Sequence, residues 1–246
     1  IGLIIVAAIF LFIMADYVNA CSMIAFQNLL DDSLQAIVNK PVEALVVVAI
    51  LPAIIEEFLF RGMIYRGIAN KSNKKIVIII SALLFAFLHM NFNQMCYAFV
   101  MGLVFAIVIY LTDNLSVSIL LHMLFNAFTV IITCFEKSNA IQAILQCNIA
   151  GYTLFNPSLT DTQGKIEISL LIIGGLIAIL SAVIAGWLIL LIAKTEKTTE
   201  TTINNENILK DNDNIFKNNE NWKPDFRFFA GSGVCILIAI LYEILL

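Results

Sequence analysis

The run Ile54-Ile55-Glu56-Glu57-Phe58-Leu59-Phe60-Arg61-Gly62 limits the possible folds of this chain more than any other stretch. Two adjacent carboxylates lie inside an apolar segment that begins near Val42 and continues to about Ala69. A helix of that length crosses a bilayer, where each ion costs roughly 3 kcal/mol on insertion scales. Such charges persist when they face the inside of a bundle and find partners there. Glu57 and Arg61 are four residues apart with the acid first, the favourable order for an ion pair along one helix face. Glu56 projects about 100° away from Glu57 around the same helix and gains no such partner within it. Neighbouring helices must therefore supply what Glu56 needs.

Composition carries this to the whole chain. Its 246 residues are 61% hydrophobic and 13% charged, with a mean hydropathy of +0.94. That excludes an ordinary water-soluble globule and predicts an all-α, polytopic transmembrane helix bundle. The formal net charge of −4 leaves no basic face for nucleic acid, so that class of partner is excluded. Five cysteines are scattered without a C-x-x-C pair and read as small packing residues. Cys134 and Cys147 flank one expected loop, but no spacing rule pairs them.

Taken in order, residues 1–15 are apolar but short of the ~20 needed to span a bilayer, and the chain opens on Ile1 rather than Met. A retained helix, with some N-terminal sequence missing, fits better than a cleaved signal peptide, because no basic leader precedes it. From Ser22 to Asn39, Met23, Phe26, Leu30, Leu34 and Ile37 recur at helical spacing opposite Asp31, Asp32 and Gln35, which predicts an interfacial amphipathic helix. Pro41 opens the helix that holds the two carboxylates. Within it Pro52, lacking an N–H, frees the carbonyl of Val48 one turn before Glu56 and is expected to kink the helix there.

Arg61, Arg66, Lys71, Lys74 and Lys75 crowd one short region, which the positive-inside rule places in the cytoplasm. Apolar spans follow over 76–88, 95–112 and 115–135, then a polar loop over 136–167 with a turn signal at Asn156-Pro157-Ser158. Ile168 to Ala193 is an uninterrupted span in which Gly174, Gly175 and Gly186 suit close helix packing. Residues 194–225, rich in Asn, Thr and both signs of charge, are expected to form a flexible polar cytoplasmic loop. A last span, 226–246, follows Trp222 and Arg227 as interface anchors. The count is about seven spans in a single membrane domain over 1–246, with no internal repeat.

The chain has two histidines, His89 and His122, and both fall in apolar spans. Titratable groups inside a membrane mark functional sites. His122 and Asn126 are four apart on one helix face, while Glu56 and His89 come from two other helices. Three helices converging on one polar centre is how bundles build sites. Depth tests the idea: Glu56 and His89 lie roughly 20 Å from their cytoplasmic helix ends, but His122 only roughly 10 Å from the turn at Asn114. Tilt or a sunken turn must absorb the difference. A carboxylate and an imidazole can activate water as general base, and a second imidazole with an amide N–H can hold a tetrahedral oxyanion. Glu56, His89 and His122 could equally hold a divalent metal such as zinc. Neither the H-E-x-x-H nor the G-x-S-x-G signature is present.

Glu56-Glu57-x-x-x-Arg61, Phe85-x-x-x-His89 and His122-x-x-x-Asn126, in this order and each on an apolar span, resemble the three motifs of the CPBP intramembrane proteases, the family of CAAX proteases and bacteriocin-processing enzymes. The resemblance covers about residues 42–130. It implies a type II CAAX prenyl endopeptidase-like helical bundle whose polar cavity opens toward the cytoplasm. It implies Glu56 as the water-activating carboxylate, His89 as its partner, His122 and Asn126 as the oxyanion-stabilising pair, and Glu57 with Arg61 in support. A zinc ion stays open. The implied partners are a peptide or membrane-protein substrate and the lipid bilayer, and the implied location is a bacterial plasma membrane. A non-proteolytic scaffold or bacteriocin self-immunity protein on the same fold is the alternative. A proton-relay transporter would use the same residue types, but no symmetric halves or paired discontinuous segments support it.

Overall fold

The structure, a computed structural model, describes residues 1–26, 39–69, 73–161 and 164–210, with side chains as far as 198. Six long helices dominate it. Helix α1, Gly2–Met23, buries Ile4, Ala7, Ala8, Leu11 and Ala15, a three- and four-residue rhythm that lines one face. Helix α2, residues 41–69, starts with Pro41 in its first turn, where the missing N–H costs nothing. It is not a uniform rod. π-Helical turns over Leu45–Ile50 and Phe58–Tyr65 flank an α-helical piece, Leu51–Glu57, that carries both carboxylates. Wide turns of this kind concentrate at functional sites.

Helices α3, Lys74–Leu88, α4, Phe92–Thr112, and α5, Leu115–Cys134, are cut out of apolar sequence by three asparagines. Asn73, Asn91 and Asn114 each accept a backbone N–H two residues on, capping the helix that follows. Met90 and Asp113 take left-handed backbone (φ 49° each), which lets α3 turn into α4 and α4 into α5 within a few residues. After α5 come a short helix α6, Asn139–Leu145, and a two-stranded hairpin, β1 Asn148–Ile149 against β2 Tyr152–Thr153. Its two turn residues, Ala150 and Gly151, both have positive φ, as a tight hairpin requires. Helix α7, Ile168–Lys210, closes the described chain.

Packing places α1 along α7 and against α4 and α5, α3 against α4, and α2 against α5. One core runs through the bundle, from Leu11 and Ala15 through Leu59, Phe60, Phe85, Met101, Phe105 and Leu121 to Leu188 and Ile192. The opposite face of α7, with Ile172, Leu176, Ile179, Val183, Trp187 and Leu190, is more than half exposed, as a lipid-facing surface should be. Among the described residues, four helices (α1, α4, α5 and the 168–198 part of α7) are long and apolar enough to cross a membrane. The protein is an all-α, multi-pass membrane bundle.

Three expectations change. The first helix is not the short 1–15 segment: it continues to Met23, because the polar groups that seemed to end it are satisfied by the bundle. Tyr17 donates to the carbonyl of Leu171, Asp16 accepts the backbone N–H of Asn156, and Asn93 donates to Ser22 Oγ at 2.6 Å. The polar loop expected from Lys194 is helical through Lys210, as a continuation of α7. Thr195 and Thr198 return their hydroxyls to carbonyls within the helix, and Asn114 donates to Glu196 from the α4–α5 turn. Of the small residues on α7, Gly174 is needed, since a Cβ there would collide with the Tyr152 ring, whereas one at Gly186 would meet nothing within 4 Å. The amphipathic helix expected over 22–39 falls largely, and the last span, 226–246, entirely, outside the described residues.

Candidate active site

Local sequence sets each element of the site. Glu57 and Arg61, one turn apart on α2, form the ion pair their spacing predicts: Arg61 Nη1 donates to Glu57 Oε1 at 2.9 Å, and neither side chain has any exposed surface. A buried pair is costly unless its other donors and acceptors are bonded too, and here every polar side-chain atom of the pair except Arg61 Nε has a partner. Here Arg61 Nη2 donates to the Gly102 carbonyl at 2.9 Å, and Ser118 Oγ donates to Glu57 Oε2 at 2.6 Å. The guanidinium also sits 4.4 Å from the Phe85 ring centre and 5.4 Å from that of Phe105, within range for cation–π attraction.

The Gly102 carbonyl reaches Arg61 because α4 crosses α3 closely at that point. A Cβ on residue 102 would meet Ala82 Cα at 3.0 Å and Ala82 O at 3.2 Å. Gly102→Val is therefore expected to push α3 and α4 apart and draw the carbonyl off Arg61. The destabilisation should be about 1–3 kcal/mol, read by thermal unfolding in detergent.

His122, on α5, joins the same assembly. Its Nδ1 lies 3.1 Å from Glu57 Oε1, and because a carboxylate only accepts, that nitrogen carries a proton. Phe105 stacks on the imidazole at 4.9 Å and Phe85 meets it edge-on at 5.6 Å, so the ring is fixed on three sides. Its Nε2 is left facing Glu56, 3.9 Å from Oε2. Both groups are nearly buried, at 4% exposure each. A separation of 3.9 Å is too long for a direct hydrogen bond, but one water oxygen can bridge the two groups.

The depth mismatch for His122 shrinks because the exposed α4–α5 turn sits level with Arg66 on α2. Arg66 donates to both the carbonyl and the carboxylate of Asp113 at 3.0 Å. The turn thus meets α2 at Arg66 rather than at its end. Counted from that level, Glu56 lies roughly 15 Å in and His122 roughly 13 Å.

The other two site residues connect less directly. His89 ends α3 and holds its Nδ1 3.1 Å from the Phe85 carbonyl, which fixes that nitrogen as the N–H and leaves Nε2 as an acceptor. Its ring meets the Phe85 ring at 5.2 Å, so Phe85 touches both imidazoles. Asn126, one turn beyond His122, donates from Nδ2 to the carbonyl of Val48 at 3.1 Å. The imidazole of His122 faces Glu56 through a short gap, a contact not anticipated from the sequence, where the resemblance implied His89 as the partner of Glu56.

Among the described residues no three His, Cys, Asp or Glu side chains lie together as a ready ligand set for zinc. With Nδ1 of each bonded elsewhere, Nε2 of His122 and of His89 are the ring nitrogens that could face such an ion. Sequence reasoning missed Ser118, Phe105 and Gly102. Ser118 had a signal: with His122 and Asn126 it forms a polar stripe at four-residue intervals on an apolar helix. The other two had none.

Comparison with known proteins bears on the same segment. The family described as Rce1-like, type II CAAX prenyl endopeptidase Rce1-like, matches residues 38–128, which contain all three motifs. A relative described as the membrane-embedded CAAX protease MroQ, from Staphylococcus aureus (strain USA300), is 34% identical over 116 residues, 45% of this chain and 47% of the relative. The chain thus spans about half the length of that relative. No solved structure matches it. Over residues 38–128, which hold the acidic pair, Arg61 and both histidines, the chain is similar to the type II CAAX prenyl endopeptidase Rce1-like family.

Proposed function

We propose that this protein is an intramembrane endopeptidase in which Glu56 activates water against a peptide bond. The observation that carries this reading is the gap between Glu56 Oε2 and His122 Nε2, 3.9 Å wide, nearly buried, with the imidazole locked by Glu57 and Phe105. A water between them can give its proton to Glu56 while its oxygen attacks a carbonyl, and Glu56 then passes that proton to the leaving amine as the C–N bond breaks. His122, entering the step with a proton from bulk water on Nε2, donates to the developing oxyanion, and Glu57 supports that imidazolium as an acidic partner supports a catalytic histidine. Asn126 adds an amide N–H from the same helix face. His89 Nε2, free to accept, guides the proton or the substrate chain. The described chain works as one membrane domain, and its substrate is a peptide or membrane protein in a bacterial plasma membrane.

The test compares peptides and membrane-protein fragments in a host expressing the wild type with those in a host expressing Glu56→Gln at equal level. Fragments absent only from the variant establish proteolysis and identify the substrate. Matching profiles with the host phenotype retained would instead favour a scaffold or self-immunity role. Ser118→Ala refines the reading. Without its 2.6 Å donor, Glu57 Oε2 keeps its charge but loses one restraint, a change of about 1–3 kcal/mol. Turnover is expected to fall roughly tenfold, the equivalent of about 1.4 kcal/mol, with insertion unaffected. Turnover equal to wild type would remove Ser118 from the site.

A further inference from the structure

Bonds between helices distinguish the two ends of the bundle. At one end Arg66 on α2 donates to Asp113 in the α4–α5 turn, Lys74 Nζ on α3 lies 5.0 Å from the Tyr110 ring centre on α4, and Asn114 donates to Glu196 on α7. This end gathers Arg66, Lys71, Lys74, Lys75, Lys194 and Lys197, so the positive-inside rule makes it cytoplasmic. At the other end Asn93 bonds Ser22, Tyr17 bonds the Leu171 carbonyl, and Asp16 accepts the N–H of Asn156 from the segment after the hairpin.

From the gap between Glu56 and His122 these two ends are not equally closed. Toward the cytoplasm, α5 buries Val117, Ser118, Leu121 and His122 as one continuous face. Glu57 and Arg61 lie next, without exposed surface, and beyond them Tyr65, Val77, Ala106 and Ile109 form a second core. In the other direction the packing loosens. Every residue from Met123 to Thr129, about two turns of α5, keeps some exposed surface. A helix packed on one side buries every third or fourth residue, so here even the inward face of α5 is partly accessible. Helix α2 parts from its neighbours at the same level. Its Phe58–Tyr65 turn packs against both α3 and α4, whereas residues 41–57 pack along α5. A cleft is thus left between the outer half of α2 and the pair α3 and α4, and it opens from Glu56 away from the cytoplasm. His89 stands half-buried at the α3 end that borders it, directly after the buried Phe85, Ala86 and Leu88. Counted from Lys74, His89 lies roughly 22 Å in, against roughly 15 Å for Glu56 from Arg66, so it is beyond Glu56 as seen from the cytoplasm.

We propose that the substrate reaches Glu56 from the extracytoplasmic side, through this cleft and past His89, so that the bond cut belongs to a secreted peptide or to the extracytoplasmic half of a membrane protein. The groups along the path suit an extended chain, which offers a carbonyl and an N–H at each residue: His89 Nε2 accepts and the Asn126 carboxamide donates. What is cut rests on the endopeptidase reading; the side from which the site is reached does not. The direction is the reverse of the cytoplasmic opening that the family resemblance implies.

The experiment labels single cysteines from each side of the membrane. In a full chain whose five native cysteines are replaced by alanine, His89→Cys and Asn126→Cys meet a charged, membrane-impermeant maleimide in spheroplasts and in inside-out vesicles. Ser158→Cys, in the exposed segment after the hairpin, and Ser116→Cys, exposed beside the α4–α5 turn, mark the two faces. His89→Cys and Asn126→Cys should label in spheroplasts, as Ser158→Cys does, and lose that labelling in inside-out vesicles, where Ser116→Cys gains it. Labelling of either from the Ser116→Cys side, labelling of neither from any side, or markers that report the opposite faces would overturn the proposal. The wild type supplies a second readout that needs no variant of the site: the position of the bonds cut in the fragment comparison. These should fall in secreted or extracytoplasmic stretches, and a cut in a cytoplasmic stretch would refute the proposal. If the cysteines label as described and nothing is cut, the endopeptidase reading fails while the access route stands.

Discussion

Glu56→Gln is expected to abolish substrate cleavage while leaving the protein folded, inserted and as abundant as wild type. The substitution keeps the shape of the side chain and removes its ability to take a proton. General-base catalysis contributes about 10²–10⁴-fold to rate, and a loss in that range should appear in kcat rather than KM. The fold should tolerate the change, because Gln keeps the size of the side chain and Arg61, Ser118 and His122 all bond the two oxygens of Glu57. Thermal unfolding in detergent checks the second half of the expectation. A Glu56→Gln protein that cleaves at the wild-type rate would end the assignment of Glu56 as base.

The neighbouring carboxylate should behave in the opposite way. Glu57→Ala leaves Arg61 without its counter-ion at zero exposure and deprives Ser118 and His122 of their acceptor in the same step. Breaking a buried pair from one side costs about 3–5 kcal/mol, since the remaining charge is stranded. The expected result is poor yield and a large drop in unfolding temperature. Removing both charges should be milder: Glu57→Leu combined with Arg61→Met replaces the pair by apolar groups, and exchanges of that kind are often neutral or stabilising. The double variant should therefore recover much of the lost stability and none of the activity, because His122 remains unanchored. Glu57→Ala with wild-type stability would refute the structural role of the pair.

The contrast between these two residues was partly legible in the sequence. The four-residue step from Glu57 to Arg61 is a property of one helix and can be read without knowing the rest of the bundle. So can the step from His122 to Asn126. What cannot be read along one helix is rotation about its axis. That rotation decides that His122 faces Glu56, and that Asn126 bonds the Val48 carbonyl. The missed residues have the same character. Gly102 matters because another helix crosses 3.0 Å from where its side chain would be, and Phe105 because it stacks on an imidazole from a third helix.

At the ends of helices the difficulty was different. Asp16, Tyr17 and Asn19 looked like the close of a span because polar residues usually meet water, yet here each meets protein. Residues 194–210 have the composition of a solvated loop, but they inherit a helix already nucleated over more than six turns, and elongation is far easier than nucleation.

The length of α7 also ties the protein to its solvent. Its apolar part, Ile168 to Ala193, is roughly 39 Å long at about 1.5 Å per residue, against roughly 30 Å of hydrocarbon in a typical bilayer. A rod that overshoots its slab leans, or thickens the slab around it. Helix α1 lies along α7, and α4, which carries the Gly102 carbonyl and the Phe105 ring, packs against both. A lean of α7 would reach the wall behind His122 through these contacts, so the acyl-chain length of the host lipid is expected to alter the geometry of the site.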